Sequence, residues 1–204
     1  MICSFQIGTE MSLKDNIIHE SLKLFSLNGF INTGLSDILE AANTSKGGFY
    51  NYFASKEDLF YEVLAEAQRI WRDKVLRELR ETKSPIERIK KLLENYRDHY
   101  LKDSRNFPGG CIFITFSVEL DNQRPHLAKE VNKGFEGLKK MLGRYLDEGK
   151  ALGELGEDVD TEAVTEILIA GMLGASVIMG VDKSNSSLDK LINSLIKYID
   201  NLKP

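Results

Sequence analysis

Residues 35–53 read LSDILEAANTSKGGFYNYF, and this stretch decides the fold. Leu35 to Ala42 is predicted as one short helix and Lys46 to Tyr52 as another, with Asn43-Thr44-Ser45 between them. Asparagine tolerates the left-handed backbone of a tight interhelical turn better than any residue except glycine. Immediately upstream lies a longer helical pattern. Ser12 is placed to cap it, Leu13, Ile17, Leu24 and Phe25 form its apolar stripe with Ser21 on the same face, and Gly29 stands where a C-cap glycine would end it. A supporting helix followed by two short ones across a three-residue turn describes a helix-turn-helix.

The major groove of DNA admits one α-helix, whose first turns meet base edges and phosphates. Lys46 offers charge, Gly47 and Gly48 allow close approach, and Tyr50, Asn51 and Tyr52 offer donors. The plainer alternative is a packed helical corner, with Phe49 and Phe53 as its core.

Outward from this corner every clear periodicity is helical, and no convincing strand alternation is found. Ser55 is expected to cap a helix running to about Arg80, with Glu57 and Asp58 in its first turn, where the macrodipole favours acids. Ser84-Pro85 starts the next, which carries Ile86, Ile89, Leu93, Tyr96 and Tyr100. Phe107-Pro108-Gly109-Gly110 is a break. Cys111–Leu120 has strand propensity but no partner strand, and is read as a helix. A long helix follows Arg124-Pro125, an apolar one ends near Val181, and a last one bears Leu188, Ile192, Leu195, Ile199 and Leu202. The expectation is an all-α protein of about nine helices, without repeats.

The 204 residues can bury a real core, and a net charge of -4 argues against non-specific coating of nucleic acid. The two cysteines, Cys3 and Cys111, form no CxxC motif and suggest a reduced, cytoplasmic chain. Residues 1–15 show no secretory signal, and residues 1–11 would be a loose arm. The uncharged run Ile167–Val181 is shorter than the ~20 residues of a membrane span, so it is read as a buried helix. His19, His99 and His126 are scattered, with no HExxH, nucleophile elbow or phosphate loop around them. Neither an enzyme nor a metal or cofactor site is expected.

From Asn16 to Leu64 the sequence resembles the DNA-binding domain of TetR-family regulators. The resemblance rests on Ile17, Leu24-Phe25, Gly29-Phe30, Asp37-Ile38, Ala41-Ala42, Ser45-Lys46-Gly47, Tyr50-x-Tyr52-Phe53 and Ser55-Lys56-Glu57-x-Leu59. It implies a DNA-binding domain over 1–58 and a helical effector and dimerisation domain over 59–204. Ser45, Lys46, Gly48, Tyr50, Asn51 and Tyr52 would line the DNA face, Tyr50, Tyr52 and Lys56 mainly holding phosphates. Gly34 stands where the family usually has a phosphate-binding threonine, a role that would fall to Thr33 or Ser36. Asn43 replaces the usual turn glycine and Gly48 a common threonine. Before residue 60 the acids Glu10, Asp15, Glu20, Asp37, Glu40, Glu57 and Asp58 outnumber Lys14, Lys23, Lys46 and Lys56, so basic groups should concentrate on the groove side.

The resemblance further implies a homodimer formed by the last two helices and a small-molecule effector held by the others. Gly171, Gly174, Val177, Leu188, Ile192, Leu195 and Ile199 are the expected dimer residues. Trp71, Tyr96, Tyr100, Phe107, Cys111, Phe113, Phe116, Phe135, Tyr145 and Met172 are the expected effector wall, suited to an apolar or aromatic molecule. Cys111, opening a helix, could favour its thiolate and sense electrophiles, though a free cysteine is more often inert. The functional expectation is a dimeric repressor of a palindromic DNA operator. The rival is a protein that keeps the fold but binds only ligand or protein.

Overall fold

The computed structural model describes residues 11–204; residues 1–10 of the expected arm, with Cys3, lie outside them. Nine α-helices and one π-helical turn make up the described residues, with no strand among them. They are α1 (Leu13–Asn32), α2 (Leu35–Ala41), α3 (Lys46–Tyr50), α4 (Lys56–Val75) and α5 (Pro85–Asn95), which runs into the π-turn Tyr96–Leu101. Then come α6 (Ile112–Leu120), α7 (Pro125–Ala151), α8 (Thr161–Asp182) and α9 (Asn185–Asp200).

The starts follow side-chain caps. Ser12, Ser45, Ser55, Ser84 and Ser184 each accept from the backbone N–H three residues on, and Asp160 accepts from Glu162 and Ala163. Asn43 adopts φ 48, the left-handed turn its position requires. Gly29 breaks α1 rather than ending it. Its φ of 81 and ψ of 169 kink the chain, and a stub of one further turn reaches Asn32. α4 stops at Val75, well short of Arg80, because the chain turns at Leu76 and passes through a left-handed Glu78.

In the first three helices Ile17, Leu22, Phe25, Ile38, Phe49 and Phe53 form a core, which Phe30, Leu59 and Phe60 join to that of the larger body. Phe60 contacts both Phe30 and Phe116, with ring centroids 5.2 and 4.8 Å away, so α4 and α6 share aromatic packing with the end of α1. α4 packs against α1, α5 and the π-turn, while α7 packs against α5, α6 and α8. A gap is left between α4 and α7.

α8 is 22 residues long, more than its uncharged run suggested, because polar residues at both ends continue the helix. By length and composition it could cross a membrane, so length alone is no argument against a span. Only a third of its most apolar window is buried.

Candidate DNA interface, effector cavity and dimer face

Ser45 caps α3 by accepting from Gly48 N at 3.1 Å, which leaves Lys46, Gly47, Tyr50, Asn51 and Tyr52 exposed. Tyr50 and Tyr52 are 54% and 46% exposed, whereas Phe49 and Phe53 are buried and anchor the helix from below. The phenylalanines are core, as the plainer alternative has it, and the tyrosines stand exposed above them. Residues 45–54 carry one cation and no acid. Of the acids nearby, Asp37 accepts from Gly34 N, Asp58 from Ala54 N, and Asp15 from Ser12, while Glu40 is exposed. Glu20 pairs with Lys23, and Glu57 with Arg124 and His126. Lys46 is thus the one charged side chain on the exposed tip of α3.

Two expected phosphate ligands need correction. Thr33 is fully buried and donates its hydroxyl to Gly29 O at 2.6 Å, so it has no free donor for DNA. Lys56 is half-buried and donates to the carbonyls of Phe30 (2.8 Å) and Thr33 (2.9 Å) while lying 4.4 Å from the Phe30 ring centroid. It is a bolt between α4 and the end of α1. Burial pushes its ammonium below the ordinary lysine range, and the carboxylate of Glu119 partly offsets this. Ser36 remains exposed.

The gap between α4 and α7 is a cavity of ≈ 560 Å³, within the range of small-molecule sites. Tyr61, Leu64, Gln68, Trp71 and Arg72 of α4 form one wall, Val131, Phe135, Leu138 and Met141 of α7 the other, and Phe113 of α6 contributes from the side. Gly134 and Gly137 also line it; helix-interior glycines cost about 1 kcal/mol each and here keep the α7 wall low. Its charges are few. Lys133 is paired with Glu130 at 2.6 Å, and Arg72 makes no ion pair among the described residues.

Of the expected effector wall, Trp71, Phe113 and Phe135 face this cavity. Tyr96, Tyr100, Phe107, Phe116 and Met172 do not: all are buried core. Tyr96 donates to Met172 O and bonds Ser176, and burial, aided by Cys111, raises both tyrosine phenols well above their ordinary range. Tyr145 is also outside the cavity, flanked by the guanidinium groups of Arg88 and Arg144 at 5.6 and 5.3 Å. Cys111 is the N-cap residue of α6 and half-buried, its Sγ 3.4 Å from Tyr100 Oη and likewise apart from the cavity.

The dimer residues divide in the same way. Leu188, Ile192, Leu195 and Ile199 are buried inside the chain, where α9 packs on α8, α5 and the π-turn. Gly171 serves that contact as well, since a Cβ there would lie 2.6 Å from the Leu195 side chain. What α8 leaves open is a different face: Ile167 (44% exposed), Val177 (48%), Ile178 (38%) and Val181 (80%), with free space over Gly174.

Residues 17–63 match the family model described as bacterial regulatory proteins, tetR family. Residues 85–195, more than half of the chain, match that described as Tetracyclin repressor-like, C-terminal domain. The chain belongs to the TetR family. Among its relatives is the HTH-type transcriptional repressor DhaR of Mycobacterium sp. (strain GP1), 26% identical over 92% of each chain. A TetR transcriptional regulator from Chloroflexus aurantiacus has the same fold, with a TM-score of 0.84 and 26% identity over 92% of this chain and 93% of the other. The TetR-family regulator CifR, solved as a cysteine mutant with a 26-bp double-strand operator, shares the fold at TM-score 0.76 and 21% identity, covering 90% and 94% of the two chains.

In this TetR-family chain the sequence reading missed most of the α4 and α7 walls. A signal was present: Tyr61, Leu64, Gln68 and Trp71 recur at steps of three and four, opposite a second such stripe interrupted by Gly134 and Gly137. Glu119, which accepts from the backbone N–H groups of Phe30 and Ile31, was also missed, and no local pattern marks it.

Proposed function

We propose that this TetR-family protein is a cytoplasmic, homodimeric repressor that binds a palindromic operator and is released by a small apolar or aromatic effector. The observation carrying the proposal is that α4 belongs to both ends of the process. Its first residue, Lys56, is bonded to the backbone just ahead of α2, and its last turns, with Trp71 and Arg72, form a cavity wall. An effector that fits only a widened gap between α4 and α7 would select a tilt of α4 and misplace α3. A tenfold preference for that state supplies only ~1.4 kcal/mol, so useful induction needs a larger ratio or a poised equilibrium.

Lys46, Tyr50, Asn51 and Tyr52 are the proposed reading residues, with Ser36 and the α3 N-terminus at Ser45 and Gly48 beside them. The apolar face of α8 is the proposed contact with a second copy, giving the two reading heads that a palindrome needs. DNA bound to the CifR relative supports the same use of this fold.

The test is selection from a randomised duplex pool, with wild type and Tyr50→Ala in parallel. Enrichment of an inverted repeat by wild type alone is expected. No enrichment even at low salt would move the function to the cavity alone, the ligand- or protein-binding rival. Trp71 is the only tryptophan and lines the cavity, so its fluorescence reports effector binding directly.

A further inference from the structure

The kink in α1 is held by two charges from different helices. Beyond Gly29 the stub restarts, and the N–H groups of Phe30 and Ile31 have lost the carbonyls an unbroken helix would offer. Both carboxylate oxygens of Glu119, near the end of α6, take their place: Oε2 accepts from Phe30 N at 2.7 Å and Oε1 from Ile31 N at 2.8 Å. A Cβ at position 29 would lie 2.5 Å from that carboxylate and displace it from the two amides, and the positive φ of 81 itself favours glycine. From the other side Lys56 of α4 binds the carbonyls of Phe30 and Thr33. One residue after Thr33 the chain enters the cap of α2, the first helix of the helix-turn-helix.

α6 also reaches the cavity. Phe113 lines it, six residues and about 9 Å of helix before Glu119. Between the cavity and the reading head there is thus a second connection besides α4.

We propose that Glu119 is a positioning residue whose carboxylate fastens the reading head to α6, and that an occupant of the cavity acts on DNA affinity by shifting α6 and loosening this clamp. The inference rests on the repressor reading for its consequence, but the clamp itself can be measured without DNA. Glutamine at 119 keeps the shape, removes the charge and puts an NH₂ donor where one of the two acceptors was.

The experiment uses the full chain and two substitutions. Backbone amide exchange at Phe30 and Ile31 should accelerate roughly tenfold or more in Glu119→Gln relative to wild type, while amides in the middle of α8 are unmoved. Glu119→Asp, which keeps the charge but shortens the reach, should accelerate them too, and serves if the glutamine variant does not fold. Unchanged protection at both amides would overturn the clamp. Gly137→Phe then stands in for an occupant, growing a ring into the cavity. It should weaken operator binding roughly tenfold when residue 119 is Glu, and by a clearly smaller factor, about threefold, in the Glu119→Gln background, where α4 alone still couples the two. A residue that only stabilises the fold would give additive losses. Additive losses, or no effect of Gly137→Phe at all, would overturn the coupling. If wild type selects no operator, the repressor reading fails, and the amide exchange still decides the clamp.

Discussion

Replacing Gly109 by alanine should cost more stability than any other glycine-to-alanine change in the 107–137 region, and the reason lies in the backbone of α1. The alanine Cβ would sit 1.8 Å from Ser26 O, 2.3 Å from its carbonyl carbon and 2.7 Å from Leu27 Cα. These are main-chain atoms in the middle of a helix, so no rotamer change relieves them. A carbon and a carbonyl oxygen settle at about 3.3 Å or more, so the turn over 107–110 must back away by ~1.5 Å. It would also lose the bond from Gly109 N to Ser26 Oγ, 3.2 Å long. Overpacking of this kind costs about 1–3 kcal/mol, and contact with rigid backbone places Gly109→Ala at about 3. In a chain of this size that corresponds to a fall in Tm of roughly 6–12 °C. Gly137→Ala is the matched control. It is also in the larger body and exposed in the interior of α7, but its new Cβ meets nothing within 4 Å. There the entropic advantage of alanine should add about 1 kcal/mol, or ~2–4 °C. Thermal and urea unfolding should be recorded for both variants at one protein concentration, because dimerisation makes Tm concentration-dependent. A neutral Gly109→Ala, or a Gly137→Ala that destabilises, would refute the packing argument.

On the α8 face, Val177→Asp should convert the dimer to a folded monomer in sedimentation, whereas Ile192→Ala, in the interior, should cost about 2–5 kcal/mol in urea unfolding. At the reading head, Lys46→Ala should lower the slope of log affinity against log salt by about one; Lys56→Met should instead lower the unfolding midpoint, because its ammonium is spent on Phe30 and Thr33. Asp98, bonded by Arg97 and Lys102, has its carboxyl held down from 3.8 to about 2. Its contribution is complete above pH ~3.8 and is lost as pH falls through ~2, so Asp98→Asn should flatten the acid limb of the stability curve in that window.

Much of the fold can be read from residues acting on their own backbone. Ser12, Ser55, Ser84 and Asp160 announce helix starts, Pro85 and Pro125 stand at first helical positions, and Asn43 marks the turn. Helix ends are harder. Nothing in the charged run after Val75 says that Glu78 will turn left-handed, since that depends on Asn95, whose amide holds the carbonyls of Val75 and Arg77 from another helix. The same limit governs the sites. An apolar stripe tells that a face is covered but not by what: the pattern of α9 points to a second copy although its stripe is buried within the chain, and from the open face of α8 the sequence singles out only Gly174 and Val177. Aromatic content likewise cannot separate Tyr100, filling the interior, from Trp71, facing the cavity. Local sequence also cannot reveal Glu119, whose partners stand 89 and 88 residues away.

The broken end of α1 bears on protein engineering. A builder of hybrid regulators would cut after α3 or early in α4 and transplant the recognition unit onto a new sensor body. Here that cut would leave two amides without their acceptors, because the acceptor travels with the donor body. A functional graft must import a carboxylate at the position of Glu119 and leave room where Gly109 meets Ser26. A simpler course is to keep this chassis intact and exchange only the exposed residues of α3.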